Sequence, residues 1–327
     1  MREKSTKLSL SCAAFLFLCM LACVVGVASA KTIYVPDDYE RIQWAVDSAS
    51  AGDTIIVRDG IYYENVNVNK QLTLKSENGS ANCIVDAGGS GSPITLNADG
   101  ISIEGFTVRN SGSGPNAGIK VYSSDNRITG NNISNNGGGI DLWLYSSNNR
   151  ITDNNISNNV HGIFLMDSSN NSIYLNNFID NSDNVCSYDS ANIWNSTEEI
   201  TYTYNGKTYT NYLGNYWSDY TGSDADGDGI GDTPYIIDGD KDNYPLMERF
   251  EHYFVPTPVQ TFDTGRPENP HPSISGKFIG TIRTNTTVIA TKLYTYPCEG
   301  EDTLNMRLYA IRHGVRRRNG MVTKETG

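Results

Sequence analysis

Three copies of one phrase constrain this chain more than anything else in it. Asn126-Arg-Ile-Thr-Gly-Asn-Asn-Ile-Ser-Asn-Asn136, Asn149-Arg-Ile-Thr-Asp-Asn-Asn-Ile-Ser-Asn-Asn159 and Asn171-Ser-Ile-Tyr-Leu-Asn-Asn-Phe-Ile-Asp-Asn181 are the same unit. Ile128, Ile151 and Ile173 recur at steps of 23 and 22 residues, and Ile133, Ile156 and Phe178 keep those steps. A fainter copy precedes them in Ile103 and Val108. Self-similarity at this period predicts a solenoid, in which each coil buries its apolar face only against its neighbours.

The kind of coil follows from what separates the apolar residues. Leucine-rich repeats share the period but need a Leu-x-x-Leu-x-Leu frame, which is absent. Residues 101–200 hold 21 asparagines, a load that helices reject because Asn competes for its own backbone and favours turns. Short β-branched pairs joined by Asn, Gly and Ser turns predict an all-β chain. The expected fold is a right-handed, single-stranded parallel β-helix, with coils about 4.8 Å apart. Like residues then stack, and Asn132, Asn155 and Asn177 are expected to form a side-chain ladder in one turn.

Residues 1–30 carry Arg2, Lys4 and Lys7, an apolar run from Cys12 to Val27, and the small residues Ala28-Ser29-Ala30. That pattern predicts a cleaved secretory signal and a secreted, extracellular or cell-surface location. Met20-Leu21-Ala22 before Cys23 makes a poor lipidation site. The remaining cysteines, Cys83, Cys186 and Cys298, are odd in number and far apart, which leaves at most one bridge and argues against a metal knuckle. The formal charge of −12 becomes more negative once the basic leader is removed, and disfavours nucleic acid and anionic lipid as partners. After the leader, no apolar run approaches the ~20 residues of a membrane span. Asn-x-Ser/Thr sequons begin at Asn78, Asn132, Asn155, Asn170, Asn195 and Asn285. Asn132 and Asn155 are expected to point into the turn, leaving the others as glycosylation acceptors.

Along the expected mature chain, Thr32 to Val35 reads as a strand. A short capping helix follows, with Asp37 or Asp38 as its N-cap, Glu40 as capping-box partner, and Ile42, Ala45, Val46 and Ala49 on one face. Thr54 to Val57, Tyr62 to Val68 and Leu72 to Leu74 begin the winding. Six or seven coils fit up to about residue 199. Residues 200–250 then form a cap: a Tyr-rich hairpin turning at Asn205-Gly206, followed by an Asp-rich stretch. Residues 251–258 read as a linker, 259–300 as a partial β domain, and 301–327 as a basic tail without structure.

The leader, the opening Ile42-Gln-Trp-Ala-Val-Asp47, the strand Gly52-Asp-Thr-Ile-Ile-Val57 and the Asn-x-Ile-x-x-Asn coils together resemble the parallel β-helix superfamily. Within it they resemble the NosD type of periplasmic protein, which is associated with copper-site maturation. The sharpest signature is Leu213-Gly-Asn-Tyr-Trp-Ser-Asp-Tyr220, then Asp224 to Tyr235, then Asp242-Asn-Tyr-Pro-Leu-Met247, which looks like the end of such repeat regions in secreted archaeal proteins. The superfamily also contains polysaccharide lyases, hydrolases and epimerases, so the resemblance implies fold and not activity.

Three chemistries have candidate residues. Asp224, Asp226, Asp228 and Asp232 surround Gly227 and Gly229 in the alternating pattern that Ca²⁺ favours, although Tyr235 stands where an EF-hand has its bidentate Glu. Copper is not expected: His161, His252, His271 and His313 are dispersed, and no Met-x-x-Met or His-x-His cluster is present. Hydrolysis needs two nearby carboxylates, and no acids stack in the well-aligned coils. A lyase could use Arg127 and Arg150, which stack, together with Asp141. Finally, if Ile140, Leu142 and Leu144 face inward, then Asp141, Trp143 and Tyr145 face outward, with Tyr122 aligned to Tyr145 by the Ser-Ser pair after each. Flat aromatics beside carboxylates suit the faces of sugars. The expectation is therefore a monomeric surface β-helix protein that binds polysaccharide or envelope glycan without catalysis. A polysaccharide lyase or hydrolase and a copper-site accessory are the alternatives.

Overall fold

The computed structural model describes residues 29–254, 309–312 and 315–318. Three parallel sheets wind around one core. The first contains β1 (Thr32–Val35), β2 (Thr54–Val57), β5 (Thr73–Ser76), β8 (Ser102–Glu104), β11 (Arg127–Thr129), β14 (Arg150–Thr152) and β17 (Ser172–Tyr174). The second contains β3 (Gly60–Tyr63), β6 (Cys83–Asp86), β9 (Thr107–Arg109), β12 (Asn132–Ser134), β15 (Asn155–Ser157), β18 (Asn177–Ile179) and β22 (Tyr216–Trp217). The third contains β4 (Val66–Val68), β7 (Ile94–Leu96), β10 (Ala117–Val121), β13 (Gly138–Leu142), β16 (His161–Met166) and β19 (Asp183–Tyr188). This is the expected right-handed parallel β-helix, about seven turns long.

The strands are short because one corner residue ends each of them. Gly105, Gly130, Asp153 and Leu175 stack at one corner in the left-handed region, and Asn110, Asn135, Asn158 and Asp180 stack at another. Gly, Asn and Asp tolerate that conformation best, so the Asn-Asn pairs mark the bends. The first Asn of each phrase's middle Asn-Asn pair turns inward, as does the Asn that opens each phrase. Asn131, Asn154, Asn176 and Asn215 form one ladder, each backbone and side-chain amide donating to the next residue's Oδ1 at 3.0–3.1 Å. Asn126, Asn149, Asn171 and Asn192 form a second. The ladder expected at Asn132, Asn155 and Asn177 is therefore displaced by one residue. Asn132 and Asn155 begin paired strands, and their side chains share one 3.2 Å bond, while Asn177 Nδ2 donates to Glu251.

Register stacks the core. Leu74, Ile103, Ile128, Ile151 and Ile173 align on the first sheet, and Val108, Ile133, Ile156, Phe178 and Trp217 on the second. All are at most 1% exposed, so each coil removes apolar surface from water on both of its neighbours. The helix α1 (Ile42–Ser48) covers one end with Ile42, Ala45 and Val46. Its expected cap is corrected. Glu64, from the next coil, accepts from the amides of Ile42 and Gln43, while Asp37 pairs with Arg58 and Asp38 accepts from the amide of Tyr34.

At the other end Trp217 stacks between Phe178 and Tyr235, with centroids 4.3 and 4.2 Å apart. The hairpin of β20 (Ile200–Tyr204) and β21 (Lys207–Asn211) interrupts the last coil, since β22 adds to the second sheet beyond residue 199. A second hairpin, β23 (Tyr235–Ile237) with β24 (Asp240–Asp242), follows. Residues Phe250–Tyr253 form a turn of 3-10 helix where a linker was expected. Within the C-terminal unit, β25 (Tyr309–Arg312) and β26 (Val315–Arg318) pair as a hairpin in a stretch expected to lack structure. Residues 1–28 of the expected leader, residues 259–300, Cys298 and Asn285 lie outside the described residues. Cys83 and Cys186 are free, and among the described residues no helix is long and apolar enough to cross a membrane.

Candidate functional site

Three glycines shape the outer face of the third sheet. A Cβ on Gly118, Gly139 or Gly162 would point at interior groups and at the backbone of the adjacent coil: at Gly139 the carbonyl of Gly162, at Gly162 that of Asn184. Close approach of backbones is what a glycine inside a strand provides. Ile119, Ile140 and Ile163, the next residues, are fully buried. Two consecutive inward residues break the usual alternation. As a result Gly138 and Asp141 share the outer side, as do His161 and Phe164, and Asp183 and Cys186.

That geometry opens a cleft of about 480 Å³, walled by the Ser111–Pro115 loop and by Gly138, Asp141, Trp143, His161 and Phe164. Gly138 is essential to it, since a side chain there would strike the Asp141 carboxylate. Asp141 is 5% exposed. Burial pushes its pKa up to about 6, while Trp143, Lys120 and His161 oppose the rise. Asp141 Oδ1, Trp143 Nε1 and His161 Nδ1 are all shielded and all lack a hydrogen-bond partner. The indole lies near enough to favour the ionised carboxylate without closing a well-formed bond. The Trp143 and Phe164 rings lie 4.9 Å apart, and Phe164 and Tyr188 5.7 Å, giving an aromatic stripe across three coils. Lys120 Nζ sits 5.3 Å from the Tyr122 ring and 5.4 Å from that of Trp143. Buried polar groups without partners are few in folded proteins, and three in one aromatic-lined cleft leave it able to exchange hydrogen bonds with a ligand that supplies donors and acceptors.

Of the residues singled out for sugar binding, Asp141 and Trp143 enter this cleft, and Tyr122 joins them through Lys120. Tyr145 does not. Val121 pairs with Leu142, so Trp143 occupies Tyr122's strand position, and Leu144 and Tyr145 are extra residues in the left-handed region. They are 63% and 75% exposed, so Leu144 is not a core residue. Phe164 and His161 were not singled out as ligand-binding residues, because the paired inward glycine and isoleucine upset simple alternation. Arg127 and Arg150 stack as expected, but on the first sheet, with Arg150 over Tyr174. Asp141 is on the third sheet, so the Arg–Asp site of a lyase is not assembled.

In the Asp-rich loop, carboxylate oxygens of Asp224, Asp226 and Asp228 lie within 4.8 Å of one another. Asp224 accepts from the amides of Gly227 and Gly229 at 2.8 and 2.9 Å. Burial, opposed by the Ile230 amide and assisted by Asp226, raises the Asp228 pKa. Asp232 is engaged with the Ala225 amide and Ser223 Oγ and stands apart from the other three.

A 116-residue stretch, 35% of this chain, is 40% identical to a "Cell surface glycoprotein" of Methanothermus fervidus, of which it spans only 18%. Among solved structures, a pectin methylesterase mutant bound to a hexasaccharide has 12% identity and a TM-score of 0.34. Pectin methylesterase PemA from Erwinia chrysanthemi has 10% and 0.32. In each case 60% of this chain and 91% of the other are covered. The family described as "Periplasmic copper-binding protein (NosD)" matches residues 33–222, more than half of the 327 residues. This chain belongs to the NosD family.

Proposed function

We propose that this chain is a cell-surface β-helix protein that binds envelope glycan in the cleft between the Ser111–Pro115 loop and the third sheet. The observation that carries this reading is the Trp143–Phe164 surface beside three shielded, unpartnered polar atoms. A pyranose ring stacks its C–H face on such aromatics, and its hydroxyls donate to Asp141 and accept from Trp143 Nε1. The location draws on the surface glycoprotein relative and on the apolar leader at residues 1–30. Exposed sequons at Asn78 and Asn170 agree with it. Ca²⁺ at Asp224, Asp226 and Asp228 would cross-link the C-terminal loop by its oxygen ligands. The NosD description speaks of copper. Among the described residues, His161, Asp183 and Cys186 bring a nitrogen, an oxygen and a sulfur donor within 4.8 Å of one another, a mixed set that such an ion takes.

The reading is tested with the full secreted chain on a polysaccharide array with Ca²⁺, recording retained protein and released fragments together. Retention without fragments is the expected result. Fragments would assign an enzyme in which Asp141 donates a proton, and absence of both signals would remove the glycan.

A further inference from the structure

Arg127 and Arg150 stand side by side on the first sheet, on a different face of the solenoid from the cleft. The parallel register pairs them directly, so their backbones lie about one strand spacing, ~4.8 Å, apart. Ser102 and Ser172 continue the same row on either side. Both arginines are exposed, and like charges directly opposite on neighbouring strands destabilise the pairing. The net charge of the chain is −12, and other cations of the coils find carboxylates. Arg58 meets Asp37 and Glu77, Lys75 meets Glu104, and Arg109 meets Asp86. Arg127 and Arg150 form no ion pair among the described residues. The acids nearest in register are already engaged: Glu104 by Lys75, and Asp153 by the hydroxyl of Thr129 at 3.2 Å.

A third donor joins the two arginines. Tyr174 sits in the adjoining row, paired with Thr152, and is 5% exposed. Arg150 Cζ lies 5.2 Å from the centroid of its ring, and this packing restricts the guanidinium before any ligand arrives. The Tyr174 hydroxyl makes no hydrogen bond among the described residues. Burial raises its pKa, Arg150 and Arg127 oppose the rise, and Asp153 and Glu198 assist it. Both guanidinium charges are therefore felt at one nearly buried phenol that lacks a partner, and such groups are few in folded proteins.

We propose that Arg127, Arg150 and the Tyr174 hydroxyl bind one tetrahedral oxyanion, a sulfate or phosphate group, free or esterified to a sugar. Two guanidinium groups from adjacent strands and a phenol two residues along offer donors to three oxygens. A carboxylate has only two, and a single guanidinium fork satisfies both. An anion shared by the two cations replaces their mutual repulsion with attraction to a common partner. Glu198, exposed near the phenol, works against the anion and limits its affinity. The site shares no residue with the cleft and does not depend on a sugar stacking there.

The experiment titrates the full chain by calorimetry with inorganic sulfate, inorganic phosphate, and one oligosaccharide in sulfated, carboxylated and neutral forms. The sulfated form should bind roughly tenfold or more tightly than the other two, and added NaCl should shrink that advantage. Arg127→Gln and Arg150→Gln should each remove it. Tyr174→Phe, which keeps the ring beside Arg150, should reduce it, and Glu198→Gln should increase it. Without anion, each arginine variant should melt no lower than the wild type, so lost binding is not lost folding. Inorganic sulfate or phosphate binding as tightly as the ester assigns the free ion as occupant, and a tighter ester assigns the sugar. Equal affinity for sulfated and neutral forms with no response to either inorganic ion would overturn the proposal, as would an advantage that survives both arginine variants. Trp143→Ala should leave the sulfate advantage intact while it removes stacking in the cleft, so the two readings fail separately.

Discussion

At Asp141 the fold keeps a carboxylate 5% exposed, one oxygen unpaired, with a pKa pushed up to about 6 by burial. The ordinary value is 3.8, so between pH 4 and 6 the folded chain binds more protons than the unfolded one. Stability from this group is therefore fully present below about pH 4 and is lost as pH rises through 6, a cost on the order of 3 kcal/mol. Asp141→Asn removes the buried charge. Its midpoint in urea should exceed that of the wild type at pH 7, and the difference should vanish below pH 4. An equal difference at both pH values would show that the residue's cost is not one of ionisation. Asp141 and Trp143 were legible in the sequence because inward and outward residues alternate from Ile140 to Trp143, past the glycine kink. Tyr145 was misread because the Ser-Ser pair suggested an alignment that two inserted residues break.

At the scale of the element, the asparagine ladder holds each coil to the next. Asn154 is fully buried. Its Oδ1 accepts from the Asn131 backbone and side-chain amides, and its Nδ2 donates to Ile128 O, Thr152 O and Asn176 Oδ1. Asn154→Ala strands those partners in the interior and should cost about 3–5 kcal/mol. Asn155→Ala, one residue away, loses a single side-chain bond to Asn132 and should cost under about 1 kcal/mol. Chemical denaturation of the two variants separates them, and comparable losses would place the ladder at the wrong residue. The period, the core isoleucines and the parallel winding were plain in the repeats. The ladder's phase was not, because in an Asn-Asn pair nothing in the letters says which side chain turns inward. The cluster of His161, Asp183 and Cys186 was hidden differently: His161 and Cys186 are 25 positions apart and meet only through a register step and the glycine kink.

Across the whole molecule, stability is a sum over neighbouring coils, and the ends decide where unfolding starts. Asp242 closes the last coil: fully buried, it accepts from the Asn215 amide, Trp217 Nε1 and the Tyr244 amide at 2.7–3.0 Å. Asp242→Ala leaves those donors unpaired. Hydrogen exchange should show residues 213–246 losing protection while residues 54–121 keep theirs. Uniform loss would mean that the solenoid unfolds as one unit. Ca²⁺ should act on the same end. At about 100 times its Kd, one bound ion adds about 2.7 kcal/mol, and Asp226→Asn should remove most of that gain in a thermal melt.

If the proposed cleft is where glycan binds, affinity for a single retained oligosaccharide depends on Trp143 and not on Tyr145. It is measured by calorimetry on the wild type, Trp143→Ala and Tyr145→Ala. Trp143 lines the cleft, while Tyr145, an equally aromatic neighbour, stands outside it at 75% exposure. Wild-type affinity is expected for Tyr145→Ala and a loss of about 1–3 kcal/mol for Trp143→Ala. Equal loss in both variants, or loss only at Tyr145, would contradict it.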